Sequence, residues 1–115
     1  MTLQVSTDEH PDATVVALTG DLDIATSTRL RRELEQHAGR NLVLDLSGLR
    51  FCDSTGLGLL VALHKHCRAE GHELLLANPQ PAVRAVLDMT RLITLLPTYA
   101  TIAGARSHDP AELLE

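Results

Sequence analysis

The stretch Phe51-Cys52-Asp53-Ser54-Thr55-Gly56-Leu57-Gly58-Leu59-Leu60 sets a carboxylate and two hydroxyls ahead of a glycine, where a strand should give way to a helix. Upstream, residues 41–46 (NLVLDL) form a short apolar run after the turn at Gly39, the pattern of a buried parallel strand. Downstream, residues 55–70 (TGLGLLVALHKHCRAE) read as four helical turns that Gly71 stops. Ser54 and Thr55 are both able to accept hydrogen bonds from the free N–H groups of a helix start, so Ser54 is expected at or near the N-cap.

The same alternation continues outward in both directions. Two extended segments, LQVS and TVVALTG, flank the turn-rich Asp8-Glu9-His10-Pro11-Asp12 and predict an opening β-hairpin that Gly20-Asp21-Leu22-Asp23 terminates. Residues 26–38 carry Leu30 and Leu34 one turn apart, with Arg29/Glu33 and Arg31/Glu35 placed for i, i+4 pairs on a solvent face, and predict a surface helix closed by Gly39. Residues 72–78 give a further apolar strand, Pro81 opens a helix with Val83, Val86 and Leu87 on one face, residues 93–97 predict a last short strand, and Thr101 is placed to cap a brief helix. Strands alternating with helices across short links imply right-handed crossovers and a largely parallel sheet, an α/β fold. The expected organisation is one domain over residues 1–106, with residues 107–115 as a tail that is a short helix or frayed.

Composition limits what such a domain does. The chain has 115 residues, 44% of them hydrophobic, but a single Phe, a single Tyr and no Trp, so aliphatic side chains must fill the core and base stacking on aromatic rings is disfavoured. A net charge of −5 with its ten Lys and Arg scattered argues against nucleic-acid binding and for a protein partner. No apolar run approaches the roughly 18–20 residues that span a bilayer and no secretion signal precedes the first strand, so a cytoplasmic location without membrane contact is expected, with Cys52 and Cys67 reduced.

The chemistry of residues 51–60 admits several readings. Ser54 and Thr55 serve as helix caps worth about 1 kcal/mol, with Gly56 and Gly58 permitting close packing. A nucleophile elbow followed by Asp88 and His108 has the chain order of a hydrolase, but Cys52 stands where that motif requires glycine. Gly56-Leu57-Gly58 lacks both the third glycine of a dinucleotide loop and the Lys-Ser or Lys-Thr of a P-loop. An aspartate phosphoacceptor at Asp45 or Asp53 fits the alternation, but the acidic pair and late lysine of a receiver domain are missing, Lys65 being the one lysine. His64 and His66 lie roughly 200° apart on their helix and cannot share a metal, and neither a metal nor a cofactor is expected.

Residues 51–58 (FCDSTGLG) resemble the Asp-Ser-Ser/Thr-Gly signature of STAS domains from bacterial anti-sigma factor antagonists. A second hallmark, Gly-x-Leu-Asp, is matched by Gly20-Asp21-Leu22-Asp23, and residues 81–92 (PAVRAVLDMTRL) look like the family's later helix, so that the similarity covers roughly residues 3–105. Arg91 departs from the glycine common there, and a non-glycine in a left-handed helix end is strained by about 1 kcal/mol.

The resemblance implies a single STAS domain that is not an enzyme but a switch. By it, Ser54 is the phosphoacceptor, the unphosphorylated protein binds a GHKL-type anti-sigma factor serine kinase and so frees a sigma factor, and a PP2C-type phosphatase resets it. The partner surface expected on this reading comprises Asp23, Asp53, Ser54, Thr55, Gly56, Gly58 and Ala62. Gly58, Ala62 and Ala69 share one strip of the helix beside Lys65, which serves either a partner or close packing inside the domain. Asp53 is read as both shaping the turn and meeting the kinase, and Asp23 as a turn former or a partner contact. A second reading keeps the fold but makes the chain a non-switching STAS subunit of a membrane transport or stressosome-like assembly. The chain's length favours the diffusible antagonist.

Overall fold

A computed structural model describes residues 2–37 and 39–114. Five strands form one sheet in the order β1 (Leu3–Glu9), β2 (Thr14–Leu22), β3 (Leu42–Cys52), β4 (Leu74–Ala77) and β5 (Thr98–Tyr99). The opening hairpin is antiparallel, with Leu3 opposite Gly20 and Glu9 opposite Thr14, and all later pairs are parallel. Each crossover from β2 to β5 is a helical segment that moves one strand in the same direction. Right-handed crossovers of that kind place their helices on one face.

That face therefore carries α1 (Ile24–Glu35), α2 (Ser54–Ala69), α3 (Pro81–Met89) and the single turn α4 (Leu92–Leu95). Beneath them lies an almost wholly aliphatic core: Val16, Leu18 and Leu22 of β2, Leu44 and Leu46 of β3, and Leu74 and Leu76 of β4 meet Leu30 and Leu34 of α1, Leu60 and Leu63 of α2 and Val83 and Leu87 of α3. The opposite face is covered in part by α5 (Ile102–Ser107), whose Ala105 packs with Val15, Val43, Leu75, Ala77 and Tyr99. The last residues return to the sheet, where Ala100 N–H donates to Glu112 O at 2.8 Å and Leu114 N–H to Thr98 O at 2.7 Å.

Several sequence expectations shift. β2 does not stop at Gly20 but continues through Leu22; Gly20 takes φ +117°, and a Cβ there would stand 2.3 Å from Thr2 O. α1 begins at Ile24 and ends at Glu35, so Gly39 lies beyond its end; the expected helix end at Ala38 falls outside the described residues. β3 outruns residues 41–46 to reach Cys52, crossing Gly48, where a Cβ would meet Thr19 Oγ1 at 2.7 Å. Residues 93–97 are not a strand. Leu92–Leu95 is a helical turn entered through Arg91 at φ 61°, and the strand comes afterwards, Thr98 and Tyr99 pairing with Leu76 and Ala77. The expected pairs form at the exposed face of α1, Arg29–Glu33 at 3.5 Å and Arg31–Glu35 at 3.4 Å, and Thr101 caps α5 by accepting from Gly104 N–H at 2.9 Å.

Candidate functional site

The carboxyl ends of β2 and β3 deliver two helix starts side by side. Leu22 is in register with Cys52, and Asp53 N–H donates to Leu22 O at 3.1 Å, so the residues that follow, Asp23 and Asp53, enter α1 and α2 as neighbours. Both are N-caps. The Asp23 carboxylate accepts from Ala25 N–H at 3.0 Å and Thr26 N–H at 3.1 Å, while Thr26 Oγ1 accepts from Asp23 N–H at 3.0 Å and donates to Asp21 O at 2.9 Å. This reciprocal box is buried, so Asp23 is chiefly a builder of the loop.

Asp53 caps α2 by accepting from Gly56 N–H at 2.9 Å. Ser54 is thus the first helical residue and not the cap, because the carboxylate one residue earlier takes the N–H that its hydroxyl was expected to receive. Released from that duty, Ser54 and Thr55 are exposed. Gly56 is buried, and a Cβ on it would stand 2.8 Å from Leu22 Cγ, 2.9 Å from Cys52 Sγ and 2.9 Å from Leu22 O. The glycine lets α2 start in contact with β2, which fixes where Ser54 emerges. Cys52 beneath it is inert: burial, reinforced by the Asp53 charge, pushes its thiol up to about 12.

Gly58 differs from Gly56. It is exposed and a Cβ would meet nothing within 4 Å. Gly58, Thr55, Leu59 and Ala62 of α2 face Ser27, Thr28 and Arg31 of α1 across a shallow groove of about 210 Å³. The small residues therefore open a surface trough between two helices. The α1 wall was not legible beforehand, since which helices become neighbours is a tertiary fact.

A further signal was present but unread. Ile24, the first residue of α1, is 75% exposed, about 120° off the Leu30 core direction at 100° per residue. Ser54 holds the matching position, the first residue, of α2. The chain's one Phe, Phe51, is also 45% exposed at the same sheet end, in register with Asp21, whose carboxylate pairs with Arg50 at 3.3 Å. The other groups considered for a hydrolase are engaged elsewhere: Asp88 pairs with Arg84 at 3.9 Å and His108 Nε2 with Glu73 at 2.5 Å.

The carboxyl end of this α/β sheet thus presents an exposed serine, a shallow groove and two exposed apolar side chains, Ile24 and Phe51. The sequence profile of the STAS domain matches residues 4–105, and the chain belongs to that family. Within it, the chain falls among the anti-sigma factor antagonists. It is 33% identical over 103 residues to the anti-sigma F factor antagonist of Paenibacillus polymyxa, covering 86% of this chain and 88% of the relative. The crystal structure of an anti-sigma factor antagonist from Mycobacterium paratuberculosis superposes with a TM-score of 0.85 at 25% identity, covering 93% of each chain. The Bacillus cell fate determinant SpoIIAA in its phosphorylated form shares the fold with a TM-score of 0.68 at 23% identity, covering 93% of this chain and 98% of that one. Among the described residues no helix is long and apolar enough to cross a membrane.

Proposed function

We propose that the unphosphorylated protein binds an anti-sigma factor serine kinase of the GHKL type in the bacterial cytoplasm, so that the kinase releases its sigma factor, and that phosphorylation of Ser54 ends this binding. The observation that carries the reading is the exposed Ser54 hydroxyl at the first turn of α2, relieved of capping by Asp53 and flanked by the groove. That a protein of the same fold exists in a phosphorylated form supports it.

The chemistry is local. Ser54 Oγ attacks the γ-phosphorus of ATP bound to the kinase, the bond to the β-γ bridging oxygen breaks, ADP leaves, and the hydroxyl proton passes to a base on the kinase. The product gains about −1.5 to −2 charges and three acceptor oxygens. Inside the domain the two helix starts tolerate the added anion, their dipoles contributing roughly 0.3–1 kcal/mol. In the complex the same charge meets a desolvated partner surface beside Asp53. Moving the partner from 99% bound to 1% requires about 5.5 kcal/mol of differential affinity, more than a charge at the rim supplies; on this reading Ser54 lies at the centre of the contact, with Ile24, Thr55, Gly58 and Ala62 around it. A PP2C-type phosphatase restores the binding form by hydrolysing the ester.

Incubation with a cognate kinase and ATP, followed by mass analysis, tests the transfer: wild type should gain one phosphate and Ser54→Ala none. Ser54→Asp should lose kinase binding while keeping its circular dichroism and melting profile. Unaltered mass in wild type would favour the non-switching subunit of a larger assembly.

A further inference from the structure

A second cleft in the domain is separate from the groove beside Ser54. It holds about 400 Å³ where the carboxyl half of α2 meets the start of β4 and the turn after α4, and its walls are His64 and Arg68 of α2, His72 and Glu73 of the following turn, and the apolar Leu75, Leu95 and Pro97. His64 lies roughly 15 Å along α2 from Ser54 at 1.5 Å per residue. A volume of this size is in the range that small ligands occupy.

The polar wall is rich in donors. Arg68 enters none of the ion pairs formed among the described residues, leaving its guanidinium available, and it stands one turn from His64 on the same helix. Glu73, the acidic member, is held by His108 Nε2 at 2.5 Å. His64 supplies the most specific evidence. Its side chain is buried, and Nδ1 is sealed from solvent with no hydrogen-bond partner. Burial, with Arg68 and Lys65 nearby, holds its pKa below the ordinary histidine value, so the ring is neutral at pH 7 and carries one proton. A proton on the sealed Nδ1 would strand a buried donor, which favours the tautomer with its proton on Nε2.

We infer that this cleft binds a small organic anion, a carboxylate with a short apolar body, its head paired with Arg68 and the His64 Nε2–H and its body against Leu75, Leu95 and Pro97. The site is independent of the Ser54 switch.

The test is a heteronuclear NMR titration of the full chain with sodium hexanoate, sodium acetate and inorganic phosphate, following the His64 ring and the Arg68 Nε–H. Hexanoate should give saturable shifts at both residues, bind at least about tenfold more tightly than acetate, and lose about tenfold in affinity in Arg68→Gln. Arg68→Gln should still take up phosphate at Ser54 from a cognate kinase, keeping the two readings separable. Absence of saturable shifts, indifference to Arg68→Gln, or inorganic phosphate matching hexanoate would each overturn the inference.

Discussion

Two glycines separated by one residue show how differently the same side chain, or its absence, is used. At Gly56 a methyl group would collide with Leu22 and Cys52 at 2.8–2.9 Å, all of them buried, so nothing flexible stands ready to yield. Gly56→Ala should cost about 1–3 kcal/mol, the usual penalty for overpacking, and displace the start of α2. At Gly58 a methyl group meets nothing within 4 Å, and the helix interior prefers alanine by about 0.8–1 kcal/mol. Gly58→Ala should therefore raise the urea midpoint while weakening partner binding, because the new methyl narrows the groove. If Gly58→Ala bound the partner as well as wild type, the groove would not be part of the contact. Ser54 owes its availability to the residue before it: the carboxylate of Asp53 takes the cap, and the hydroxyl is left for chemistry.

Among the elements, α1 has the better secured start. Its box joins Asp23, Thr26 and Asp21 in a buried set of bonds, whereas α2 has the single bond from Gly56 N–H to Asp53. Asp23→Ala should lower stability by about 1–2 kcal/mol, at the upper end for a lost cap because one of the orphaned N–H groups, that of Thr26, is buried, as read by chemical denaturation. It should also weaken partner binding, since the entry angle of α1 sets the α1 wall of the groove, Ser27, Thr28 and Arg31. The alternation of β2, α1, β3, α2, β4 and α3 was legible because each segment has a clear period and turn chemistry at its ends, and the motif at residues 51–58 placed Ser54 at a helix start. The exceptions have local causes. Residues 93–96 form too short an apolar run for helix and strand to be distinguished by period, and the left-handed Arg91 turns the chain into a helical loop before β5. β3 outlasts its apolar run because Gly48 lets it approach β2 closely enough to keep pairing past Ser47. The trough needed α1 and α2 to be adjacent, which no spacing in either helix encodes.

For the whole molecule, moving each strand in one direction concentrates four helical segments on a single face and leaves the starts of α1, α2 and α3 at one end of the sheet. The proposed switch region then occupies surface loops and helix starts, while stability resides in an aliphatic core that a phosphate at Ser54 would not touch. Adding about −1.5 to −2 to a net charge of −5 should consequently leave the melting temperature of the phosphorylated domain almost unchanged. Proton uptake is a different matter, because His64 is part of the packed face. Burial, together with the positive charges of Lys65 and Arg68 on its own helix, lowers its folded-state pKa below the 6.5 of an unperturbed histidine; His72 and Glu73 face the same cleft. The unfolded chain therefore binds a proton that the folded one refuses. The associated stability is fully present above about pH 6.5 and is lost as pH falls from there toward the folded pKa. Urea denaturation followed from about pH 7.5 to 5 should show this decline in wild type, and His64→Leu should flatten it without altering phosphate uptake at Ser54. An unchanged slope in His64→Leu would assign the acid sensitivity to other groups and remove the neutral, buried imidazole on which the donor character of the cleft depends.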